Sequence, residues 1–341
     1  MLTALLSILI GLANPPSPQP PPLHIYWIDV EGVGCTLIVT PAGEAILVDA
    51  GWDLHRDATR IFDVATKAAG VKQIDYFIAT HWHADHYGGI IKLSHRMPVK
   101  SFYGNGPFPD SVPDDPAFPD LMPRYRALVD GHSVILKAGD LLPIRQAPGA
   151  PPLQVQVLAA ARKFADVTAT PNPVCSETEN PAPDPTQEAD SIVLLFRYGN
   201  FTFFDGGDLT RQMEEKLVCP VNRVGTVELF QIDDHGLDLS NSPVLIHSIH
   251  PRVVVVNNGP DKGAEPKTMQ ALFSTPGIET VWQVHRNLKP GKQLNTSPEF
   301  IANPQREGNG KAEFIQATAQ PDGAMSVQIG VLGTRRDYPP K

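Results

Sequence analysis

Cysteine is scarce in this chain, with Cys35, Cys175 and Cys219 the only three among 341 residues. Three are too few for a disulfide scaffold, and none is spaced as in a zinc knuckle or a CxxC redox pair. Positive charge is also short, at 28 basic against 37 acidic residues. A nonspecific nucleic-acid surface is therefore excluded as the main business of the protein, although a small anionic substrate is not. Past the first thirteen residues no apolar run approaches the ~20 needed to span a bilayer, and no internal repeat recurs at a fixed period. Proline, by contrast, is in excess. Its 35 residues are roughly twice ordinary usage. An interior proline removes a helix hydrogen bond and clashes with the preceding turn, which argues against a helix bundle and for strands and loops. With 42% hydrophobic residues, the chain can bury a large core.

Residues 1–13 (MLTALLSILIGLA) form an uncharged apolar run too short to cross a membrane. The small Gly11 and Ala13 stand where a signal peptidase reads. The segment reads as a signal peptide followed by a proline-rich linker over 14–22, which implies a periplasmic or extracellular protein. Because it carries no Lys or Arg, membrane tethering is the alternative. Export permits a disulfide. Cys175 and Cys219 lie in polar, proline-flanked stretches (NPVCSE and LVCPVN), whereas Cys35 opens the apolar run CTLIV. The expectation is a Cys175–Cys219 bridge, with Cys35 as a small core residue.

Short β-rich runs over 24–30, 35–40 and 44–48, joined by turn residues, read as hairpins. Helical spacing of Ile61, Val64, Ala65 and Ala68 closed by Gly70 predicts a helix over 57–69, and a strand follows over 74–79. Proline-rich stretches over 104–123 and 168–186 read as long loops, which are often functional. Between them a helix is expected near 121–129, with strands near 133–137 and 153–158. Gly199-Asn200 joins the runs 191–198 and 201–204 in a hairpin. A helix near Leu209, a strand over 227–232, a helix over 243–249 and the strand 252–256 complete the pattern. Strands and helices alternating in two similar halves favour sheets packed on each other with helices outside. Residues 23–341 are read as one domain.

Immediately after the 74–79 strand stands Thr80-His81-Trp82-His83-Ala84-Asp85-His86. Off a strand end, His81 and His83 point the same way, so their imidazoles can share one metal. Asp85 and His86 fall where the chain turns into a helix and can face a second. Neutral imidazole suits Zn, Fe or Mn, and a carboxylate adds hardness.

THWHADH resembles the HxHxDH motif of the metallo-β-lactamase superfamily. Leu47-Val48-Asp49-Ala50-Gly51 resembles its early strand ending in Asp-x-Gly, which implies that Asp49 supports the metal loop from behind. Phe204-Asp205-Gly206-Gly207-Asp208 resembles the later Gly-Asp strand, whose aspartate, here Asp208, bridges both metals. Asp234-His235-Gly236 resembles the element that supplies the last imidazole. Within the superfamily, 28–51, 190–208 and 235–259 look like the lactamase-like domain of bacterial competence proteins of the ComEC type, though no channel domain accompanies them. The resemblance implies a four-layer αββα sandwich. It also implies one or two divalent ions, zinc foremost, with manganese or iron as alternatives. His81 and His83 would hold one ion, Asp85, His86 and His235 the other, and Asp208 both. Asp85 and Asp208 are the candidate catalytic carboxylates.

Departures from the pattern matter as much. No GHT-type histidine precedes the Gly-Asp strand, so Glu188, Asp190 or a water is left to complete the first position. Asp234 stands where a second histidine is often found. His285, Asn257 and Asn258, at strand ends, are candidates for the pocket or a metal. His132 and His247 read as unrelated to the site. The chemistry expected is hydrolysis by a metal-activated hydroxide. A phosphodiester is the leading substrate class, a lactam, lactone or other ester the second, and a non-catalytic metal-stabilised binding module the third. Lys92, Arg96, Lys262 and Lys267 could serve a short anionic substrate. No stable nucleic-acid partner is expected, and the oligomeric state is left open.

Overall fold

The computed structural model describes residues 19–167, 170–179, 181–291, 294–306 and 312–341. The expected signal peptide (1–13) and residues 14–18 of the linker lie outside the described residues, as do 168, 169 and 180 of the 168–186 loop. Among the described residues no helix is long and apolar enough to cross a membrane.

The first half supplies β1 (Leu23–Trp27), β2 (Thr36–Val39), β3 (Ala45–Val48), α1 (His55–Asp63), β4 (Ile74–Ile78), α2 (Ala84–Leu93), β5 (Val99–Gly104), α3 (Phe118–Val129) and β6 (Ser133–Ile135). The chain continues through β7 (Leu153–Ala160), β8 (Lys163–Phe164), β9 (Thr170–Pro171), β10 (Val193–Tyr198), β11 (Phe201–Asp205), α4 (Arg211–Val218), β12 (Val221–Asn222) and β13 (Leu229–Gln231). It ends with α5 (Pro243–Ile249), β14 (Val253–Val256), α6 (Pro266–Ser274), β15 (Thr280–His285), β16 (Ile301–Asn303), β17 (Ile315–Ala319), β18 (Met325–Ile329) and β19 (Arg335–Tyr338).

One sheet runs β19-β18-β17-β1-β2-β3-β4-β5-β6 and the other β16-β15-β14-β13-β11-β10-β7-β8, while β9 and β12 pair separately. Both large sheets are mixed. The first is parallel from β3 to β6 and the second from β11 through β16.

Three apolar clusters define the layers. Leu23, Ile25, Trp27, Ile46 and Ile78 meet Phe203, Val255 and Trp282 between the sheets. Leu47, Phe77, Ile61, Ile90 and Tyr125 pack α1, α2 and α3 on the outer face of the first sheet. Phe204, Phe230, Leu217, Leu245 and Met269 do the same for α4, α5 and α6 on the second. Because each central strand is covered on both faces, its apolar residues run nearly uninterrupted, as in AILV of β3. The architecture is the αββα sandwich expected from the sequence.

Several local expectations are corrected. The 104–123 loop ends early, since α3 starts at Phe118. Pro119 sits in its first turn, where the missing N–H would be unbonded anyway, and the helix continues through Pro123. The 57–69 helix is α1 followed by one wide turn over Val64–Ala68. The last three strands, not foreseen, return to the first sheet and pair against β1. Cys175 and Cys219 are bridged, joining the 3-10 turn Pro173–Glu177 to the end of α4, and Cys35 is free and buried.

Candidate metal centre

The carboxyl ends of parallel strands from the two sheets face a common cleft, the usual place for a site in open α/β sheets. From the first sheet, β4 runs into Thr80 and His81, and α2 opens directly after His83. From the second, β11 delivers Asp208 and β13 delivers the Asp233–Gly236 turn. That turn is bought with backbone strain: Asp234 and His235 both adopt left-handed conformations, φ 47° and 54°. Such conformations in non-glycine residues cost on the order of 1–3 kcal/mol each and tend to mark functional sites.

The turn brings His235 Nε2 to 3.1 Å from Asp208 Oδ2, and His86 Nε2 lies 3.2 Å from the same oxygen. Across the cleft, His81 Nε2 is 3.0 Å from His83 Nδ1. Four sets of donor atoms, each set within 4.8 Å, gather here: His81, His86 and Asp208; Asp85, His86 and His235; Asp208, Asp234 and His235; and His83, Asp114 and Glu188.

Asp49 explains how the imidazoles are aimed. Left-handed at φ 58° after β3, it accepts the Thr80 N–H at 2.9 Å and the Thr80 hydroxyl at 2.8 Å. Its Oδ2 also lies 2.7 Å from His86 Nδ1. The Thr80 hydroxyl is in turn 3.1 Å from His81 Nδ1. With Nδ1 of both rings so engaged, both Nε2 atoms face the cleft, as in metal-binding histidines supported from behind. Gly34 makes the close approach possible, because a Cβ there would stand 2.8 Å from Asp49 Oδ2.

Charge balance favours a cation. Burial pulls the His86 pKa down, but Asp208, Asp49 and Asp85 outweigh it and raise it well above the ordinary imidazole value. Burial and the neighbouring His86 charge push His81 well below. Asp208 is burdened by burial, yet His235 and His86 hold it well under the usual carboxylate range. Asp234 is pushed well up by burial and by Asp208. Without a metal the cleft therefore holds a proton on His86 and the Lys262 ammonium, 3.1 Å from Asp85 Oδ2. His83 Nε2 and Glu188 Oε2 are buried and have no hydrogen-bond partner among the described residues. Imidazole and carboxylate donors with such unpaired atoms fit a divalent ion.

The other candidates sort differently. Glu188 joins His83, its Oε1 3.4 Å from Nδ1. Asp190 turns away to Arg162, at 2.9 Å. His285 belongs to none of the four donor sets; Asn258 donates its amide to the Gly259 and His285 carbonyls, and Asn257 is buried. His132 is exposed, and His247 pairs with Glu177. Asp114 was missed, since an acidic residue in a proline-rich loop gives no signal until the fold carries it to His83. A cavity of about 710 Å³ lies beside α1 and holds none of these donors, so donor chemistry rather than cavity size locates the site.

The model of the metallo-beta-lactamase superfamily matches residues 28–176. Over those residues the chain is similar to this superfamily. Its buried His/Asp clusters, which could hold metal ions, lie within a fold of the metallo-β-lactamase type. No curated protein matches it. Similar solved structures include CmlA, a diiron β-hydroxylase from Streptomyces venezuelae, at 17% identity and TM-score 0.37 over 71% of this chain and 45% of that one. Another is Zn(2+)-bound PqqB from Methylobacterium extorquens, at 11% identity and TM-score 0.42 over 76% and 97%. A third is a metallo-β-lactamase from Staphylococcus aureus, at 16% identity and TM-score 0.33 over 77% and 55%. The chain spans less than half the length of the CmlA structures it matches.

Proposed function

We propose that the protein hydrolyses a phosphodiester in a small or short anionic substrate, with one or two divalent ions, zinc foremost, held by His81, His83, Asp85, His86, Asp208 and His235. The observation that carries this reading is the convergence of His81, His86 and His235 on Asp208, beside the Lys262 ammonium. When bound, a divalent ion supplies Lewis acidity and lowers the pKa of water towards 7.

The chain's own groups do the rest. Asp49 and Thr80 hold the imidazoles of His81 and His86 in the tautomer that keeps Nε2 free. Asp208 presents one oxygen to both His86 and His235 and fixes their separation. Lys262, with its pKa raised by Asp85, Asp208 and Asp234 against the effect of burial, stays cationic and can orient an anionic phosphoryl group. The likeness of 28–51 to the ComEC-type domain supports the same substrate class. The net charge of −9 favours short anions over long ones. Export remains our proposal, and the Cys175–Cys219 bridge supports it.

Purified protein loaded with Zn or Mn should turn over a chromogenic phosphodiester, and His83→Ala and Asp208→Ala should lower both bound metal and rate. Turnover of a chromogenic cephalosporin instead would favour the acyl-hydrolase reading. Turnover of neither would favour a binding module.

A further inference from the structure

The superfamily pattern leaves the His81/His83 position short of a third protein donor, and two observations identify the group that stands there. The 3-10 turn Glu188–Asp190 sits directly before β10 and is stitched to the histidine loop through the Ile192 N–H, which donates to the Thr80 carbonyl at 3.0 Å. Asp190 secures the other side of the turn by its pair with Arg162. The turn thus has one carboxylate to spare, and its Oε1 lies 3.4 Å from His83 Nδ1, which is itself 3.0 Å from His81 Nε2. An ion with bonds of about 2.0–2.2 Å places its donors about 2.8–3.6 Å apart, depending on geometry. Both separations fall in that range.

The second observation is that Glu188 Oε2 is sheltered from solvent yet has no hydrogen-bond partner, an expensive arrangement for a carboxylate. On the far side of the ring, His83 Nε2 faces Asp114 Oδ1 at 3.4 Å. Nε2 has no hydrogen-bond partner among the described residues, and Nδ1 is the ring nitrogen turned to Glu188.

We propose that Glu188 is the third protein donor of the His81/His83 metal position, giving it two nitrogens and a carboxylate where an all-imidazole position would have three nitrogens. This rests on the metal-centre reading above. A carboxylate is a harder donor than imidazole, so the position accepts Mn²⁺ or Fe²⁺ more readily than a three-histidine position would.

The test is metal binding by the full chain, stripped with a chelator and re-equilibrated with Zn²⁺ or with Mn²⁺. Bound metal is counted by mass spectrometry, affinity is measured by chelator competition, and folding is followed by circular dichroism. Glu188→Ala and the isosteric Glu188→Gln should both lose one equivalent or weaken it at least tenfold. Glu188→His should restore Zn²⁺ but not Mn²⁺. Folded Glu188→Ala and Glu188→Gln proteins that bind metal within twofold of wild type, while His81→Ala loses it, would overturn this assignment and leave the metal-centre reading standing. Undiminished metal in His81→Ala would overturn the parent reading and this one with it.

Discussion

Replacing Asp49 by Asn tests the support of the site at its most connected residue. The side chain is buried and both oxygens are used: Oδ1 takes the Thr80 N–H, while Oδ2 takes the Thr80 hydroxyl and faces His86 Nδ1. Asparagine has one acceptor oxygen and one donor group. If its oxygen takes the place of Oδ2, its NH₂ meets the Thr80 N–H head on and a backbone donor is orphaned. If it flips, the NH₂ faces His86 Nδ1, which must then give up its proton. The proton moves to Nε2 and removes the lone pair that faces the cleft. Either outcome loses a charged hydrogen bond, about 1.5–3 kcal/mol. Loss of such a supporting group typically lowers metal affinity about 10–100-fold, or about 1.4–2.7 kcal/mol. Chelator competition for Zn²⁺ at fixed pH reads the effect directly, and thermal melts in EDTA separate it from loss of fold. An Asp49→Asn protein with Zn²⁺ affinity within twofold of wild type would refute the reasoning.

Two other substitutions probe charge. Burial pushes the Asp205 carboxyl up to about 7, so the folded protein keeps a proton that the unfolded chain releases near pH 4, and stability falls as pH rises through that window. The loss approaches about 4 kcal/mol above pH 7. Asp205→Asn, which keeps the acceptor for Gly207 N and Gln231 Nε2, should melt progressively higher than wild type from pH 5 to pH 8 in the metal-free state; a constant difference contradicts the assignment. Lys262→Met removes the ammonium beside Asp85 and should raise KM for an anionic phosphodiester about tenfold. An unchanged KM would remove Lys262 from substrate binding.

Much of the fold was legible because each layer leaves its own periodicity. The apolar runs of β3 and β14 mark strands covered on both faces, and Gly199-Asn200 marks the hairpin between β10 and β11. The THWHADH segment was readable because its spacing matches a strand end turning into a helix, which is where β4 and α2 place it. Proline was a poorer guide. It punctuates loops, but it is equally at home in the first turn of a helix, as at Pro119, Pro243 and Pro266. Asp114 and Glu188 meet across 74 positions of chain, a juxtaposition no local pattern encodes. Nor could spacing tell Glu188 from Asp190. The choice depends on Arg162, which claims one of the two carboxylates.

The pairing of β1 with β17 sets an order on folding. Leu23 lies opposite Ala319 and Trp27 opposite Ile315, so the first strand must wait for a segment made nearly three hundred residues later. Contacts so distant in sequence close slowly, and until they form one side of β1 is an open edge available to other chains. The His81–His86 loop, by contrast, takes its nearest supports from β3, β4 and α2, all complete by residue 93, and later ones from Asp115 and Ile192. The segments nearest the first imidazoles are thus synthesised well before the sheet carrying them is finished. Trimming the last three strands should therefore harm solubility before it touches those imidazoles.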